Sequence, residues 1–187
     1  MGEASLKNKG YKGNIVKSLT TTNLINKIAE NYNSSIIETP VGFKYIAEES
    51  LNNDFLIGGE ESGGFTIQNH FADKDGILTS LLIIDLINTE RRKLYKIIED
   101  IEKSYGRYYN KRLDIENNSE AEQRIIHKLK SEFKPEIINT DGLKLVFNEN
   151  DWCIIRKSGT ENKLRIYIET KSKTFLKEIV FAINEVL

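Results

Sequence analysis

The sequence has one cysteine, two histidines and no apolar run long enough to span a membrane. The lone Cys153 excludes a disulfide bond within the chain and is typical of a reducing compartment, so we predict a cytoplasmic protein. The apolar stretch that starts at Leu81 is interrupted by Asp85 and is too short to cross a bilayer. Residues 1–12 are polar and lack the apolar core of a signal peptide. We therefore expect no membrane partner.

The sequence also lacks an excess of charge of either sign, with 27 basic and 28 acidic residues and a formal net charge of -1. No overall field then attracts nucleic acid or an anionic surface, so we expect no nucleic-acid partner, and any site for an anion has to be local. The 187 residues suffice for one medium domain or for two small ones, each with its own core.

The first half of the chain alternates predicted strands with predicted helices, which indicates an α/β layer. The strands are expected at Asn14–Leu19, Ile36–Thr39, Phe55–Ile57 and Phe65–Ile67. Helices are expected up to Tyr32, after Gly42, over Ile77–Asn88 and over Leu94–Lys103, with Thr20, Thr21 and Thr22 as candidate N-caps of the first. The helix over Ile77–Asn88 is apolar on most sides, so we expect it to be buried.

The character of the sequence changes near Ser104, where we place the boundary between two domains, 1–104 and 105–187. In the second half, helices are expected over Glu120–Phe133, capped by Asn118 or Ser119, and from Thr174 onward. Strands are expected at Tyr108–Ile115, Leu143–Phe147, Trp152–Ile155 and Leu164–Glu169. This order of elements predicts a compact α+β domain with an antiparallel sheet.

Between the last two predicted strands lies a basic stretch, Arg156–Lys163, that we interpret as a loop with the chemistry of a phosphate site. A planar guanidinium matches phosphate oxygens, hydroxyls donate hydrogen bonds, and a glycine lets backbone N–H groups approach an anion. The residues that offer these groups are Arg156, Ser158, Gly159 and Thr160, with Arg165 on the following strand. The pattern is not a Walker loop, and a solvated basic connection is the alternative.

A second chemical stretch, Gly58–Gly64, follows the strand at Phe55 and surrounds two carboxylates and a hydroxyl with four glycines. Carboxylates at a strand end can accept hydrogen bonds from neighbouring sugar hydroxyls, and open α/β sheets bind ligands at the carboxyl ends of their strands. The alternative is a tight acidic turn with ordinary turn glycines.

Four segments of this chain resemble the α-D-phosphohexomutase family and lie in the family's order: Glu38–Lys44, Gly59–Gly64, Asp73–Leu78 and Arg156–Glu161. Members of the family have four domains around a central cleft. The resemblance implies that this chain is most of the third domain, which is α/β with a mixed sheet, and all of the fourth. That fourth domain is a two-layer α+β domain with an antiparallel sheet.

The resemblance also implies roles for individual residues. Glu60 and Ser62 would bind sugar hydroxyls, and Lys44 would contact the substrate. A phosphate that does not react would be held by Arg156, Ser158, Gly159 and Thr160, with Arg165 as a further contact. Asn162 stands where relatives commonly have proline, a departure that concerns the stiffness of the loop more than its ligand.

Two segments of the family are missing from this sequence, the loop with the catalytic serine and the magnesium loop. We therefore expect no catalytic residue and no metal ligand in this chain, and we interpret Asp73 and Asp75 as turn and cap residues. The chain alone is expected to be inactive. Its expected partners are a hexose phosphate and the N-terminal half of the same enzyme, which would bind Mg2+ and use glucose 1,6-bisphosphate as activator and intermediate.

The activity implied by the resemblance is that of a phosphoglucomutase, an intramolecular phosphotransferase. Phosphate would move between glucose 1-phosphate and glucose 6-phosphate through a phosphoserine and a bisphosphorylated sugar. Glu60-Glu61-Ser62 resembles the sugar loop of glucose-type enzymes. The alternatives are a phosphomannomutase or dual-specificity enzyme, a non-catalytic module that binds sugar phosphates, and a purely structural role.

Overall fold

A computed structural model describes residues 13–52 and 54–187 of the chain. The prediction that residues 1–12 are not a signal peptide concerns residues outside this range. The chain divides into two compact units, one ending at Gly106 and the other beginning at Arg107. Among the described residues, none of the helices combines the length and apolarity that crossing a membrane requires.

The first unit is built on a four-stranded mixed sheet, as predicted. Its strands are β1 (Asn14–Ser18), β2 (Ile36–Thr39), β3 (Phe55–Gly59) and β4 (Phe65–Ile67), in the order β2-β1-β3-β4. β1 pairs in parallel with both β2 and β3, and β4 pairs antiparallel with β3. The carboxyl ends of the three parallel strands therefore lie at one edge of the sheet, the edge where such sheets bind ligands.

Helices cover both faces of this sheet. They are α1 (Leu24–Asn31), α2 (Phe43–Glu49), α3 (Gly76–Glu90) and α4 (Leu94–Tyr105). The short helix α2 packs Phe43 and Ile46 against Val16 and Phe55. The other apolar cluster joins the sheet to α1 and α4 through Ile15, Ile57, Ile28, Ala29 and Ile101. Of the predicted capping residues, Thr22 accepts a hydrogen bond through its Oγ1 from the backbone N–H of Leu24 at 3.1 Å, whereas the side chain of Asn23, directly before the helix, makes no capping hydrogen bond.

The prediction that helix α3 is buried was wrong. None of its residues is buried, and Ile77, Leu81 and Ile84 are 77%, 59% and 54% exposed. These three residues follow helical spacing and form one stripe, which we call the α3 stripe. A helix that is apolar on all sides favours burial on all sides. In this unit, other elements cover only the side of α3 that lies opposite the α3 stripe.

The second unit is a five-stranded antiparallel sheet in the order β5-β9-β8-β7-β6, which confirms the predicted fold class. The strands are β5 (Tyr109–Glu116), β6 (Glu136–Thr140), β7 (Gly142–Val146), β8 (Trp152–Lys157) and β9 (Lys163–Thr170). The edge strand β6 was missed because it is exposed throughout and lacks an apolar alternation. Strand β8 is longer than predicted, so Arg156 lies in a strand and the loop is limited to 158–162.

Two helices, α5 (Ser119–Phe133) and α6 (Lys173–Asn184), pack on one face of this sheet and complete two layers. Asn118 caps α5, accepting hydrogen bonds from the backbone N–H groups of Glu120 and Ala121, as predicted. Inward-facing side chains of β7, β8 and β9 fill the core, among them Leu145, Ile155 and Ile166. Cys153 is also in this core, where burial raises the pKa of its thiol and keeps it unreactive.

Candidate functional site

The acidic loop predicted to read a sugar leaves β3 at Gly59 and returns into β4 at Phe65. Two hydrogen bonds close it, from the N–H of Glu60 to the carbonyl of Gly64 (2.9 Å) and from the N–H of Gly63 to the carbonyl of Glu60 (3.0 Å). Glu60 Oε1 accepts a hydrogen bond from the backbone N–H of Gly42 at 3.0 Å, at the start of helix α2. The carboxylate of Glu60 is thus held in a fixed place at the sheet edge.

Glu61 points back toward the end of β1. Its Oε2 accepts hydrogen bonds from the hydroxyls of Thr20 (2.7 Å) and Ser18 (3.4 Å). The hydroxyl of Ser18 also lies 2.9 Å from that of Thr21. Glu61 therefore anchors the loop to the end of β1, whereas Glu60 is tied to the start of α2.

The two other residues predicted for the sugar site are exposed. The hydroxyl of Ser62 lies 3.5 Å from Glu60 Oε2, so the structure brings these two side chains together. Lys44 lies in the first turn of α2, and its ammonium sits over the ring of Tyr45 at 4.6 Å. The helix that carries Lys44 is tied to Glu60 through Gly42, although Lys44 itself is held by its neighbour.

Lys17 is a buried charge at the same edge that the sequence analysis missed. Its ammonium is 1% exposed, lies 3.4 Å from a carboxylate oxygen of Glu38, and donates to the carbonyl of Thr21 and the amide oxygen of Asn23, both at 3.1 Å. The signal in the sequence is a lysine within the apolar strand Ile15-Val16-Lys17, where an exposed side chain is the usual expectation.

The segment before helix α3 uses its aspartates as predicted. Asp75 Oδ1 accepts hydrogen bonds from the N–H groups of Ile77 and Leu78, both at 2.9 Å, and its Oδ2 lies 3.0 Å from His70 Nε2. The hydrogen bond from Leu78, with His70 adding to it, lowers the pKa of Asp75 below its ordinary value. Asp73 accepts a hydrogen bond from the N–H of Lys74 at 2.7 Å.

In the second unit, two of the predicted phosphate contacts are direct neighbours. Arg156 on β8 and Arg165 on β9 are paired in register, and Asp114 on β5 is the next partner in that row. All three side chains leave the sheet on the face opposite the helices, because their strand neighbours Ile155, Ile166 and Leu113 pack toward the helices. Two like charges in direct register repel each other, so negative charge beside the two arginines stabilises this arrangement.

Protein carboxylates supply part of that negative charge. Arg156 pairs with Asp141 Oδ2 at 3.2 Å, and Arg165 pairs with Glu161 and lies 3.9 Å from Asp114. Two hydrogen bonds from Arg112 lower the pKa of Asp114, and Arg165 adds to the effect. Within the described chain, the Nε atoms of Arg156 and Arg165 are buried without a hydrogen-bond partner, so part of the hydrogen-bonding capacity of this pair is unused.

The loop beside these arginines is organised by Ser158. Its Oγ accepts from the N–H groups of Thr160 (3.4 Å) and Glu161 (3.3 Å), and its own N–H donates to the carbonyl of Lys163 (2.8 Å). Gly159 is exposed, and a Cβ there would meet no atom within 4 Å. Open space in front of the glycine is what a phosphate would need.

The comparisons with known proteins concern the family of the two units. The model of the phosphoglucomutase/phosphomannomutase α/β/α domain III matches residues 1–105, and the model of the C-terminal domain of the same family matches residues 86–186. The phosphoglucomutase/phosphomannomutase of Thermococcus kodakarensis is 30% identical over 178 residues, and the phosphoglucosamine mutase of Methanocaldococcus jannaschii is 31% identical over 171. The alignments cover 95% and 89% of this chain but only 38% and 37% of those relatives.

A solved structure shows the same fold. The open form of the phosphoglucomutase parafusin (pp63) from Paramecium superposes with a TM-score of 0.78 at 23% identity, over 98% of this chain and 39% of that protein. At this identity the likeness concerns the fold alone. Together with the two domain models, it shows that the chain belongs to the phosphoglucomutase/phosphomannomutase family and comprises its domain III followed by its C-terminal domain.

Proposed function

We propose that this chain supplies the sugar-binding and phosphate-binding half of a phosphoglucomutase, which interconverts glucose 1-phosphate and glucose 6-phosphate. The observation that carries the proposal is the pair Arg156 and Arg165, which stand in direct register and have side chains only 10% and 18% exposed. A phosphate dianion would relieve the repulsion between the two guanidinium groups and accept hydrogen bonds from them. The hydroxyls of Ser158 and Thr160 and the open space at Gly159 suit the remaining phosphate oxygens.

A phosphate-binding site of this kind fits the proposed reaction. Phosphate would move between the C1 and C6 hydroxyls through a bisphosphorylated sugar, so the phosphate that does not react is at either end of the sugar in turn. Guanidinium groups, hydroxyls and backbone N–H groups recognise a phosphate without reference to the rest of the ligand. Because Arg156 is nine-tenths buried, its charge acts in an environment where water screens it less.

The sugar would be read by Glu60 and Ser62. Glu60 Oε1 is occupied by the N–H of Gly42, which leaves the other oxygen, 3.5 Å from the Ser62 hydroxyl, to accept from neighbouring sugar hydroxyls. Lys44 in the first turn of α2 would be a further contact. The glucose preference is based on Glu60-Glu61-Ser62; glucosamine and mannose phosphates are the alternatives, because relatives of similar identity are named for those sugars.

Glu60→Gln is expected to weaken the binding of glucose 1-phosphate about fivefold, since a neutral amide makes a weaker hydrogen bond than a carboxylate. Affinity for inorganic phosphate should not change. Calorimetric titration of the 187-residue chain with both ligands measures this. Glu48→Gln, an exposed charge on the same helix as Lys44, is the matched control and should affect neither ligand. Equal losses for glucose 1-phosphate and inorganic phosphate would argue against a sugar-reading role.

We propose that catalysis itself depends on the part of the enzyme that the relatives have beyond this region. A cation site does not fit the described residues: they contain no group of three or more His, Cys, Asp or Glu side chains that could hold a metal. The partner would be the N-terminal half of the same enzyme, with Mg2+ and the phosphoserine, and glucose 1,6-bisphosphate as activator. The exposed α3 stripe offers that half an apolar contact surface.

The 187-residue chain alone is therefore expected to show no conversion of glucose 1-phosphate to glucose 6-phosphate in a coupled assay with Mg2+ and glucose 1,6-bisphosphate. Turnover by this chain alone would contradict the proposal that catalysis depends on the N-terminal half of the enzyme. A cytoplasmic location, where cysteines stay reduced, belongs to the same proposal and suits the lone free thiol of Cys153.

A further inference from the structure

Asp141 lies at the turn between β6 and β7 and contacts the proposed phosphate site from outside the loop 158–162. Its carboxylate is paired with a terminal nitrogen of Arg156 at 3.2 Å. We propose that Asp141 is a positioning residue: it holds the guanidinium of Arg156 in the orientation that binds phosphate. This inference rests on the proposed phosphate site and adds to it a residue that determines how tightly that site binds.

The backbone beside Asp141 brings it to Arg156. Gly142 has φ +101°, a conformation that favours glycine, and a Cβ on it would lie 2.6 Å from the Cβ of Arg156. The start of β7 therefore packs directly on the base of the Arg156 side chain. The carboxylate one residue earlier then reaches the far end of the same side chain, so Arg156 is held at both ends.

A held arginine binds an anion better than a free one. Ordering a long, rotamer-rich side chain costs free energy at the moment of binding unless folding has already ordered it. Asp141 uses a terminal nitrogen, and the Nε of Arg156 stays without a partner in the described part of the chain. The ion pair therefore orders the guanidinium through one terminal nitrogen and leaves the other terminal nitrogen to bind phosphate.

The charge of Asp141 makes this inference testable, because it acts in the opposite direction. A negative charge beside an anion site weakens binding, so Coulomb's law alone predicts tighter binding when Asp141 is neutralised. A positioning role predicts weaker binding. The two accounts thus differ in the sign of one measured change.

Asp114 provides a matched control on the other side of the arginine pair. It is a carboxylate in the same row, but its two oxygens accept hydrogen bonds from Arg112 at 2.9 and 2.8 Å, and it lies 3.9 Å from the Nε of Arg165. It is therefore committed to Arg112 and is too far from Arg165 to hold it by a hydrogen bond. Neutralising Asp114 should leave phosphate affinity unchanged or raise it.

The test is an NMR titration of the 187-residue chain with inorganic phosphate, followed at the arginine Nε–Hε signals, which Arg156→Lys and Arg165→Lys assign. Asp141→Asn should weaken binding about tenfold, a loss of the size seen when carboxylates that orient metal-binding histidines are removed. In the ligand-free Asp141→Asn variant, the Nε–Hε signal of Arg156 should also show that this side chain is more mobile than in the unmodified chain. Asp141→Glu keeps the charge but moves the carboxylate by one methylene, so it too should weaken binding. Asp114→Asn should not.

Folding of each variant is checked by the fluorescence of Trp152, the only tryptophan, which is buried in β8 of the same unit. Unchanged or tighter binding by Asp141→Asn, or by Asp141→Glu if the first variant does not fold, would overturn the positioning role and leave the proposed phosphate site intact. Absence of any phosphate-induced shift at Arg156 and Arg165 in the unmodified chain would overturn both. The two failures are therefore distinguishable.

Discussion

Replacing Arg156 with alanine is expected to weaken phosphate binding by about 2 to 3 kcal/mol, or roughly 30- to 150-fold. The side chain is nine-tenths buried and stands in register with Arg165. A charged hydrogen bond in such a place is strong because little water competes for it. The measurement is a calorimetric titration of the 187-residue chain with glucose 1-phosphate and with inorganic phosphate, and both should lose affinity equally.

Lys157 offers a matched control for the charge. It is the next residue on β8, is exposed, and pairs with Glu122 of helix α5 at 3.5 Å, on the other face of the sheet. Lys157→Ala removes the same positive charge one residue away and should change affinity by less than about twofold. Arg156→Lys separates charge from shape, since lysine lacks the planar fork and should recover only part of the loss. Equal affinity for Arg156→Ala and the unmodified chain would remove Arg156 from the site.

Gly142→Ala is expected to destabilise the second unit by about 2 to 4 kcal/mol. Its φ of +101° disfavours any residue with a Cβ, and that Cβ would lie 2.6 Å from both the carbonyl oxygen of Ile155 and the Cβ of Arg156. The first is a backbone atom of β8 and the second is fixed to the backbone of β8, so the sheet itself would have to move. The strain falls on the strand that carries Arg156.

Urea denaturation followed by the fluorescence of Trp152 measures this change, because that side chain is buried in the same sheet. Gly159→Ala is the control within the same unit: a Cβ at this position meets nothing within 4 Å and its φ is not in the disfavoured range. Its stability should stay within about 0.5 kcal/mol of the unmodified chain. A Gly142→Ala variant as stable as Gly159→Ala would show that β7 and β8 can separate at little cost.

The elements that the sequence predicted well are those whose side chains alternate between core and solvent. Strand β9 is an example, since its core-facing residues Leu164, Ile166 and Ile168 recur at every second position. The N-cap of α5 at Asn118 was likewise visible, because a capping side chain acts within two or three residues of itself. Local chemistry of this kind can be read directly from neighbouring residues.

Other features depended on contacts between distant residues. Strand β6 has no core face, and its register with β7 comes from pairing across the turn at Asp141 and Gly142. The role proposed for Asp141 was also hidden, because Asp-Gly is typical of any turn and the pair with Arg156 spans 15 residues of sequence. For helix α3, the sequence predicted apolar sides that favour cover and carried no information about which polypeptide covers them.

For the proposed phosphate site, the sequence predicted the residue types and the structure added their arrangement. Arg156 was placed in a loop, whereas it lies in β8 opposite Arg165, and this register turns two separate basic residues into one pair. Periodicity cannot predict such a pair, since the match between two strands is set by the length of the loop that joins them. The proposed roles of Ser158, Gly159 and Thr160 stay predictions.

The central claim is that Arg156 and Arg165 together form a phosphate site, and one NMR titration tests it most directly. The 187-residue chain is titrated with glucose 1,6-bisphosphate, glucose 1-phosphate, glucosamine 6-phosphate and inorganic phosphate. We expect the Nε–Hε signals of both arginines to shift with all of these ligands, and the amide signals of Gly59–Gly64 to shift with the glucose compounds alone. Unchanged signals of Arg156 and Arg165 at saturating concentrations of every ligand would contradict the claim.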